Sequence, residues 1–80
     1  MTNSGAYNAD VNNLAGGSIT NTGIWTGSVL SNANAITNNG TWTGNVVSNT
    51  GTVTNNLLWN GSIANAGTFV NSANGIVSGG

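Results

Sequence analysis

Few side chains in this 80-residue chain could do chemistry. It contains no Lys, Arg, His, Glu or Cys, and Asp10 is the one side chain with a formal charge. Acid–base catalysis of the glycosidase type needs two carboxylates, and a Ser or Thr nucleophile needs a base beside it. Metal sites need His, Cys or several carboxylates. The sequence therefore predicts no enzyme, no catalytic residue, no cofactor and no metal site.

The charge balance also restricts the partners. The net charge is −1, and only 1% of the residues are charged. Without cations the chain cannot neutralise phosphates, so we expect it to bind neither nucleic acid nor anionic membranes. No apolar run is long enough to cross a bilayer, which predicts no membrane insertion. No basic segment followed by an apolar stretch is visible, so the sequence shows no signal peptide.

A tandem repeat fills the chain. Residues 19–35 read ITNTGIWTGSVLSNANA, residues 36–52 read ITNNGTWTGNVVSNTGT, and residues 53–68 read VTNNLLWNGSIANAGT. A weaker copy spans residues 1–18 and a partial copy spans residues 69–80. A fixed period of this length is typical of solenoids. We predict one repeat domain over residues 1–80, in which each copy is one coil.

Aligned copies place similar residues in columns. An apolar column contains Met1, Ile19, Ile36, Val53 and Phe69, and an amide column contains Asn3, Asn21, Asn38, Asn55 and Asn71. An aromatic column contains Tyr7, Trp25, Trp42 and Trp59, and a column of small residues contains Ala9, Gly27, Gly44 and Gly61. A β-branched column contains Val11, Val29, Val46 and Ile63.

Each repeat has three short runs of strand-forming residues, separated by Asn and Gly, which tolerate tight corners. No copy has the periodicity that a helix requires. We therefore predict an all-β, parallel β-solenoid of about five coils, with about 17 residues per coil and a roughly triangular cross-section. An antiparallel meander fits less well, because alternate strands would then play different roles. Asn-rich chains can also be disordered, but the apolar spacing argues against disorder here.

Stacked coils turn the columns into ladders. Stacked Asn amides can donate to one neighbour and accept from the other, which satisfies polar groups at a crowded corner. A second amide series, Asn13, Asn32, Asn49 and Asn65, varies by one residue in spacing, so we expect a less regular corner there. The Trp column could face outward as a binding stripe, but a small core needs large apolar side chains, so we favour inward. Asp10 aligns with Ser28, Asn45 and Ser62 and is interpreted as a polar surface position.

Regular Thr columns raise the alternative of ice binding. Thr2, Thr20, Thr37 and Thr54 form one column, and Thr26 and Thr43 form part of another. A flat Thr array is similar to the surface of some ice-binding solenoids, which repeat Thr-x-Thr on every coil. Here only residues 41–43 and 52–54 have that pattern, at positions that are not equivalent. Structural Thr ladders are the better interpretation.

The motif I-T-N-x-G-x-W-T-G-x-V-x-S-N, clearest in residues 19–27 and 36–44, resembles the passenger-domain repeats of bacterial autotransporter and haemagglutinin-type adhesins. The resemblance implies a secreted β-solenoid that displays or spaces adhesive regions at the cell surface. It implies no catalytic residues. A structural segment of a surface adhesin or fibre is thus the first functional hypothesis, and an amyloid-like filament subunit is the second.

The ends of the repeat predict self-association. A monomeric solenoid needs caps, since its end coils expose unpaired backbone and core. Neither end here offers a helix, a cluster of charges or a Pro, and a nearly neutral chain has little repulsion to oppose association. We therefore expect the chain to be its own partner, stacking head to tail.

Overall fold

A computed structural model of the protein describes residues 1–79, which form short β-strands and no helix. The strands in chain order are β1 Thr2–Asn3, β2 Ala6–Asn8, β3 Val11–Asn13, β4 Ser18–Asn21, β5 Ile24–Thr26, β6 Val29–Asn32, β7 Ala35–Asn38, β8 Thr41–Thr43, β9 Val46–Asn49, β10 Thr52–Asn55, β11 Leu58–Asn60, β12 Ile63–Asn65, β13 Thr68–Asn71 and β14 Ile76–Ser78. The strands are short because the Asn and Gly residues of the corners interrupt each strand-forming run.

Successive coils stack in parallel to make three sheets. Sheet A has the order β1-β4-β7-β10-β13, sheet B has β2-β5-β8-β11-β14, and sheet C has β3-β6-β9-β12. Every strand pairs with its equivalent in the next coil, as in Ile19 with Ile36 and Trp25 with Trp42. The predicted parallel β-solenoid with about five coils is therefore confirmed, and its three sheets form the three sides of the coil.

The core lies inside the three sheets. Its fully buried members come from the middle coils and from three of the predicted columns: Ile19, Ile36, Val53, Trp25, Trp42, Trp59, Val29 and Val46. Column members in the end coils are less covered, since Tyr7, Val11, Ile63 and Phe69 are half-buried. Met1 is 55% exposed. Burial in this fold therefore depends on having a coil on both sides.

The variation in coil length has two separate sources. Sheet C contains register shifts, because β3 and β12 have one residue fewer between their apolar residue and their Asn than β6 and β9 have. In addition, the corner after Asn13 and the corner after Asn71 each carry two extra residues, which form tight turns. The expected irregular corner is thus found in the first coil, whereas the one-residue variation elsewhere lies within the strands.

Candidate functional site

The Trp column runs through the middle of the solenoid and points inward. All three indoles are fully buried, and they stack with ring centroids 4.3 and 4.7 Å apart and planes within 10° of parallel. Tyr7 continues the stack at one end, 4.3 Å from Trp25, and Phe69 meets Trp59 edge-on at 6.1 Å. An outward aromatic binding stripe is therefore absent from the surface of residues 1–79.

The sequence did not place a fifth member in the aromatic column, but the strand pairing does. Val77 pairs with Trp59 and packs against the core. The alignment missed it because the turn before β14 is two residues longer than the equivalent turns in other coils. An apolar residue at position 77, alternating with Ile76 and Ser78, was the available signal.

Each indole N–H is satisfied at a corner of the coil beneath. Trp42 Nε1 donates to the Gly27 carbonyl at 3.1 Å, and Trp59 Nε1 donates to the Gly44 carbonyl at the same distance. Trp25 makes the equivalent bond to Ala9, at 3.2 Å. A buried indole N–H needs such a partner, so the aromatic column and the small-residue column form one unit.

The small-residue column must be Gly wherever a coil lies beneath it. A Cβ on Gly44 would lie 2.0 Å from the carbonyl oxygen of Gly27, and a Cβ on Gly27 would lie equally close to that of Ala9. Both glycines also have φ angles near +150°, which L side chains rarely adopt. These two positions therefore allow the close coil-to-coil approach on which the indole hydrogen bonds depend.

Two amide ladders run along the corners that flank sheet A. In the first, the side-chain Nδ2 of each Asn donates to Oδ1 of the Asn in the next coil, at 2.8 to 3.0 Å from Asn3 to Asn71. In the second, Asn13, Asn32, Asn49 and Asn65 do the same at 2.7 to 2.8 Å. The second ladder is as regular as the first, because the register shifts in sheet C let every Asn reach its corner.

Each ladder amide also secures the backbone of its corner. Asn38 Nδ2 donates to the Gly40 carbonyl at 3.1 Å and to the Leu58 carbonyl at 2.8 Å, while Asn38 Oδ1 accepts from the Gly40 N–H. No buried side-chain nitrogen or oxygen in the described part of the chain lacks a partner. A core containing six buried Asn side chains is thus fully hydrogen-bonded without any charge.

Asp10 lies at the surface, as interpreted from the sequence, and also has a structural contact. Its carboxylate accepts the Ser28 N–H at 2.8 Å. In the coils above, Ser28 Oγ accepts from the Asn45 N–H and Asn45 Oδ1 accepts from the Ser62 N–H. This column is a third ladder, from side chain to backbone, in which Asp10 acts as a hydrogen-bond acceptor.

The Thr columns lie on outward faces of two different sheets. Thr2, Thr20, Thr37 and Thr54 are paired neighbours on sheet A, and Thr26 and Thr43 are paired on sheet B. The two Thr-x-Thr segments therefore do not share a face. The structure brings no continuous Thr-x-Thr array together.

Residues 1–79 contain no surface pocket and no group of three or more potential metal ligands. None of them belongs to a helix long and apolar enough to cross a membrane. The surface features that remain are the open strand edges of the first and last coils and scattered exposed apolar side chains, namely Leu14, Ile24, Leu30, Val47, Leu57, Val70 and Ile76.

The two coil ends differ in hydrogen-bonding character. At one end Asn3 Oδ1 accepts only the N–H of Gly5, at a long 3.4 Å, whereas Oδ1 of Asn21 accepts the amide below at 2.8 Å. At the other end Asn71 Nδ2 donates only to the Gly75 carbonyl, although Asn55 Nδ2 makes three bonds. One end thus offers a ladder acceptor, and the other offers a ladder donor.

Comparisons with protein-family models, with curated proteins and with solved structures gave no match to this chain.

Proposed function

We propose that this chain is a non-catalytic structural segment of an extracellular surface adhesin or fibre, and that it associates end to end. The observation that carries the proposal is the continuity of the ladders, which run through every coil and end open at both faces. The motif shared with adhesin passenger repeats supports the surface role. The lack of paired acid–base groups supports a role without catalysis.

The dimensions favour a spacer assembled from many coils. The principal extents are 24 × 23 × 18 Å, so one copy is about as wide as it is long. Each coil adds about 4.8 Å, the spacing of adjacent strands, which is roughly 0.3 Å per residue. A rod that separates an adhesive tip from a cell surface therefore requires further coils in series, which end-to-end association supplies.

Sedimentation velocity over a hundredfold range of concentration, followed by negative-stain imaging, tests the association. We expect the sedimentation coefficient to rise with concentration and rods of coil width to appear. A species that stays monomeric at millimolar concentration would contradict end-to-end association. The surface role is tested separately, by labelling intact cells of the source organism with antibodies to the chain before and after external protease treatment.

The open edges also favour a second candidate, an amyloid-like filament subunit. The two functions differ in length and reversibility, because a filament subunit elongates without limit whereas a surface segment forms short, reversible stacks. Dilution of assembled material distinguishes them. Long fibres that persist after dilution and diffract at about 4.8 Å along their axis would favour the filament.

A further inference from the structure

We propose that a second copy of the chain docks head to tail, with its β1 and β2 on β13 and β14 of the first copy, and that Ala9 weakens this junction. The proposal rests on the end-to-end association above and adds its polarity, its register and the residue that limits its strength. Three independent features of the coil ends support it.

The first feature is the polarity of the amide ladder. Every ladder amide donates toward the C-terminal coil and accepts from the N-terminal side, as Asn21 does with Asn38 and Asn3. Stacked head to tail, Asn71 Nδ2 of one copy meets Asn3 Oδ1 of the next. Two C-terminal faces would set donor against donor, and two N-terminal faces would set acceptor against acceptor. Only the head-to-tail arrangement continues the ladder.

The second feature is the match between the apolar residues at the two faces. Phe69 ends the column that Met1 begins, and Val77 ends the column that Tyr7 begins. Phe69, Val77 and Tyr7 are half-buried, and Met1 is exposed. Stacking coil on coil covers all four side chains, which is favourable in proportion to the apolar area removed from water.

The strand inventory fixes how much of the junction forms. Sheets A and B each have five strands within residues 1–79, whereas sheet C has four. In the coil-on-coil register, sheets A and B continue across the junction, and sheet C has a gap one strand wide between β12 and the next copy's β3. A rotation of one copy by one side of the coil would close the gap, but it would place Asn71 beneath a corner without an amide. We therefore assign the unrotated register.

The third feature is Ala9, the one member of its column with a side chain. In the junction it takes the place above Gly79 that Gly61 takes above Gly44 within the chain. A Cβ at Gly61 would lie 2.0 Å from the Gly44 carbonyl oxygen. The Cβ of Ala9 meets the equivalent carbonyl in the next copy, so the corner must shift for the copies to stack. A well-packed contact resists such overpacking.

Single-cysteine variants test polarity and register, because the native chain has no Cys. Thr2 and Val70 are exposed, outward-facing members of one column, so Thr2→Cys in one copy and Val70→Cys in the next would lie about one strand spacing apart, within disulfide range. In a glutathione buffer we expect a disulfide dimer when the two variants are mixed. Neither variant alone should form one above the level of a Thr37→Cys control from a middle coil.

Each alternative gives its own result. Dimers formed by Thr2→Cys alone or by Val70→Cys alone would overturn the polarity. Preferential coupling of Thr2→Cys with Ala64→Cys would overturn the register in favour of the rotated one. A monomer at every concentration would overturn both this inference and end-to-end association. Oligomers without the mixed disulfide would overturn this inference alone. Circular dichroism of each variant shows that the fold is retained.

The variant Ala9→Gly tests the steric limit through a gain of association. We expect roughly tenfold tighter self-association by sedimentation, because the overpacked methyl group is removed. Ala6→Gly is the matched control: Ala6 precedes Ala9 by one short strand, is exposed and faces outward, so its variant should associate as the native chain does. Unchanged or weaker association of Ala9→Gly would overturn the role assigned to Ala9.

Discussion

At the scale of single residues, this protein replaces charge with amides and indoles. A buried Asn in the ladder presents two N–H groups and one oxygen, and its partners lie in its own coil and in the coils above and below. Asp could not donate, and Leu could neither donate nor accept. The same holds for the indole N–H, which a buried Trp must place on an acceptor. Side-chain identity is therefore most constrained where polar groups are buried.

The variant Asn38→Ala should be strongly destabilised. Its loss leaves Asn21 Nδ2 without its ladder acceptor and Asn55 Oδ1 without its donor, and each buried, unpaired group costs about 1–3 kcal/mol. We expect the free energy of unfolding to fall by about 2–4 kcal/mol in urea denaturation. The adjacent Asn39 is exposed, so Asn39→Ala should change it by less than about 1 kcal/mol. Equal effects of the two substitutions would contradict the ladder.

The variant Trp42→Phe tests the link between the aromatic stack and the glycine corner. Phe can still stack, but it leaves the Gly27 carbonyl without its indole donor and creates a small cavity. We expect a loss of about 2–3 kcal/mol in the free energy of unfolding. Tyr7→Phe, at the half-buried end of the same stack, should lose less than about 1 kcal/mol. A cost for Trp42→Phe as small as that of the control would show that the indole N–H is unimportant.

At the scale of strands and corners, the sequence was most informative where one residue type serves one purpose in every coil. The Asn3, Trp25 and Val29 columns could be aligned from spacing alone because the coils share a period. The second amide ladder looked irregular in sequence, yet it is regular in space. Spacing cannot reveal whether an extra residue is absorbed by a bulge in a strand or by a longer corner, because that depends on which backbone groups pair between coils.

The corner glycines give a prediction at this scale. In Gly44→Ala the new Cβ would contact the Gly27 carbonyl at 2.0 Å in a backbone with φ of +153°. We expect the free energy of unfolding to fall by about 2–4 kcal/mol, because neither strand neighbour can move without breaking sheet hydrogen bonds.

Gly5 provides the matched control for this substitution. A Cβ there meets nothing within 4 Å, and its φ is not positive. Gly5→Ala should therefore be neutral or stabilising by up to about 1 kcal/mol, since it restricts the unfolded chain. Comparable destabilisation at both positions, measured by thermal unfolding, would show that coil-to-coil approach at Gly44 is not the cause.

At the scale of the whole molecule, stability comes from interfaces between neighbouring coils. Strands pair only with their equivalents one coil away, and burial is complete only in coils that have a neighbour on each side. Such a chain is approximately one-dimensional, so its stability should grow with the number of coils. The open ends are the price of this architecture, and they are where association is expected.

Insertion of a second copy of residues 36–52 after Thr52 tests this additivity. The extra coil should lengthen the solenoid by about 4.8 Å, as seen by small-angle scattering, and raise the denaturant midpoint. An insertion of the same 17 residues in shuffled order keeps the composition and breaks the columns. It should lower the midpoint. A higher midpoint for both insertions, or for neither, would contradict stacking by columns.

The sequence by itself determined the period, the strand-forming runs and the residue type of each column, because all of these repeat along the chain and reflect local preference and side-chain shape. Only the tertiary structure decided that the indoles face inward, that Val77 completes their column, that Asp10 accepts a backbone hydrogen bond, and that the two ends carry opposite ladder groups. These properties depend on which groups face one another across neighbouring coils. Contacts between residues about 17 positions apart are set by the stacking of the backbone, and residue order alone does not specify that geometry.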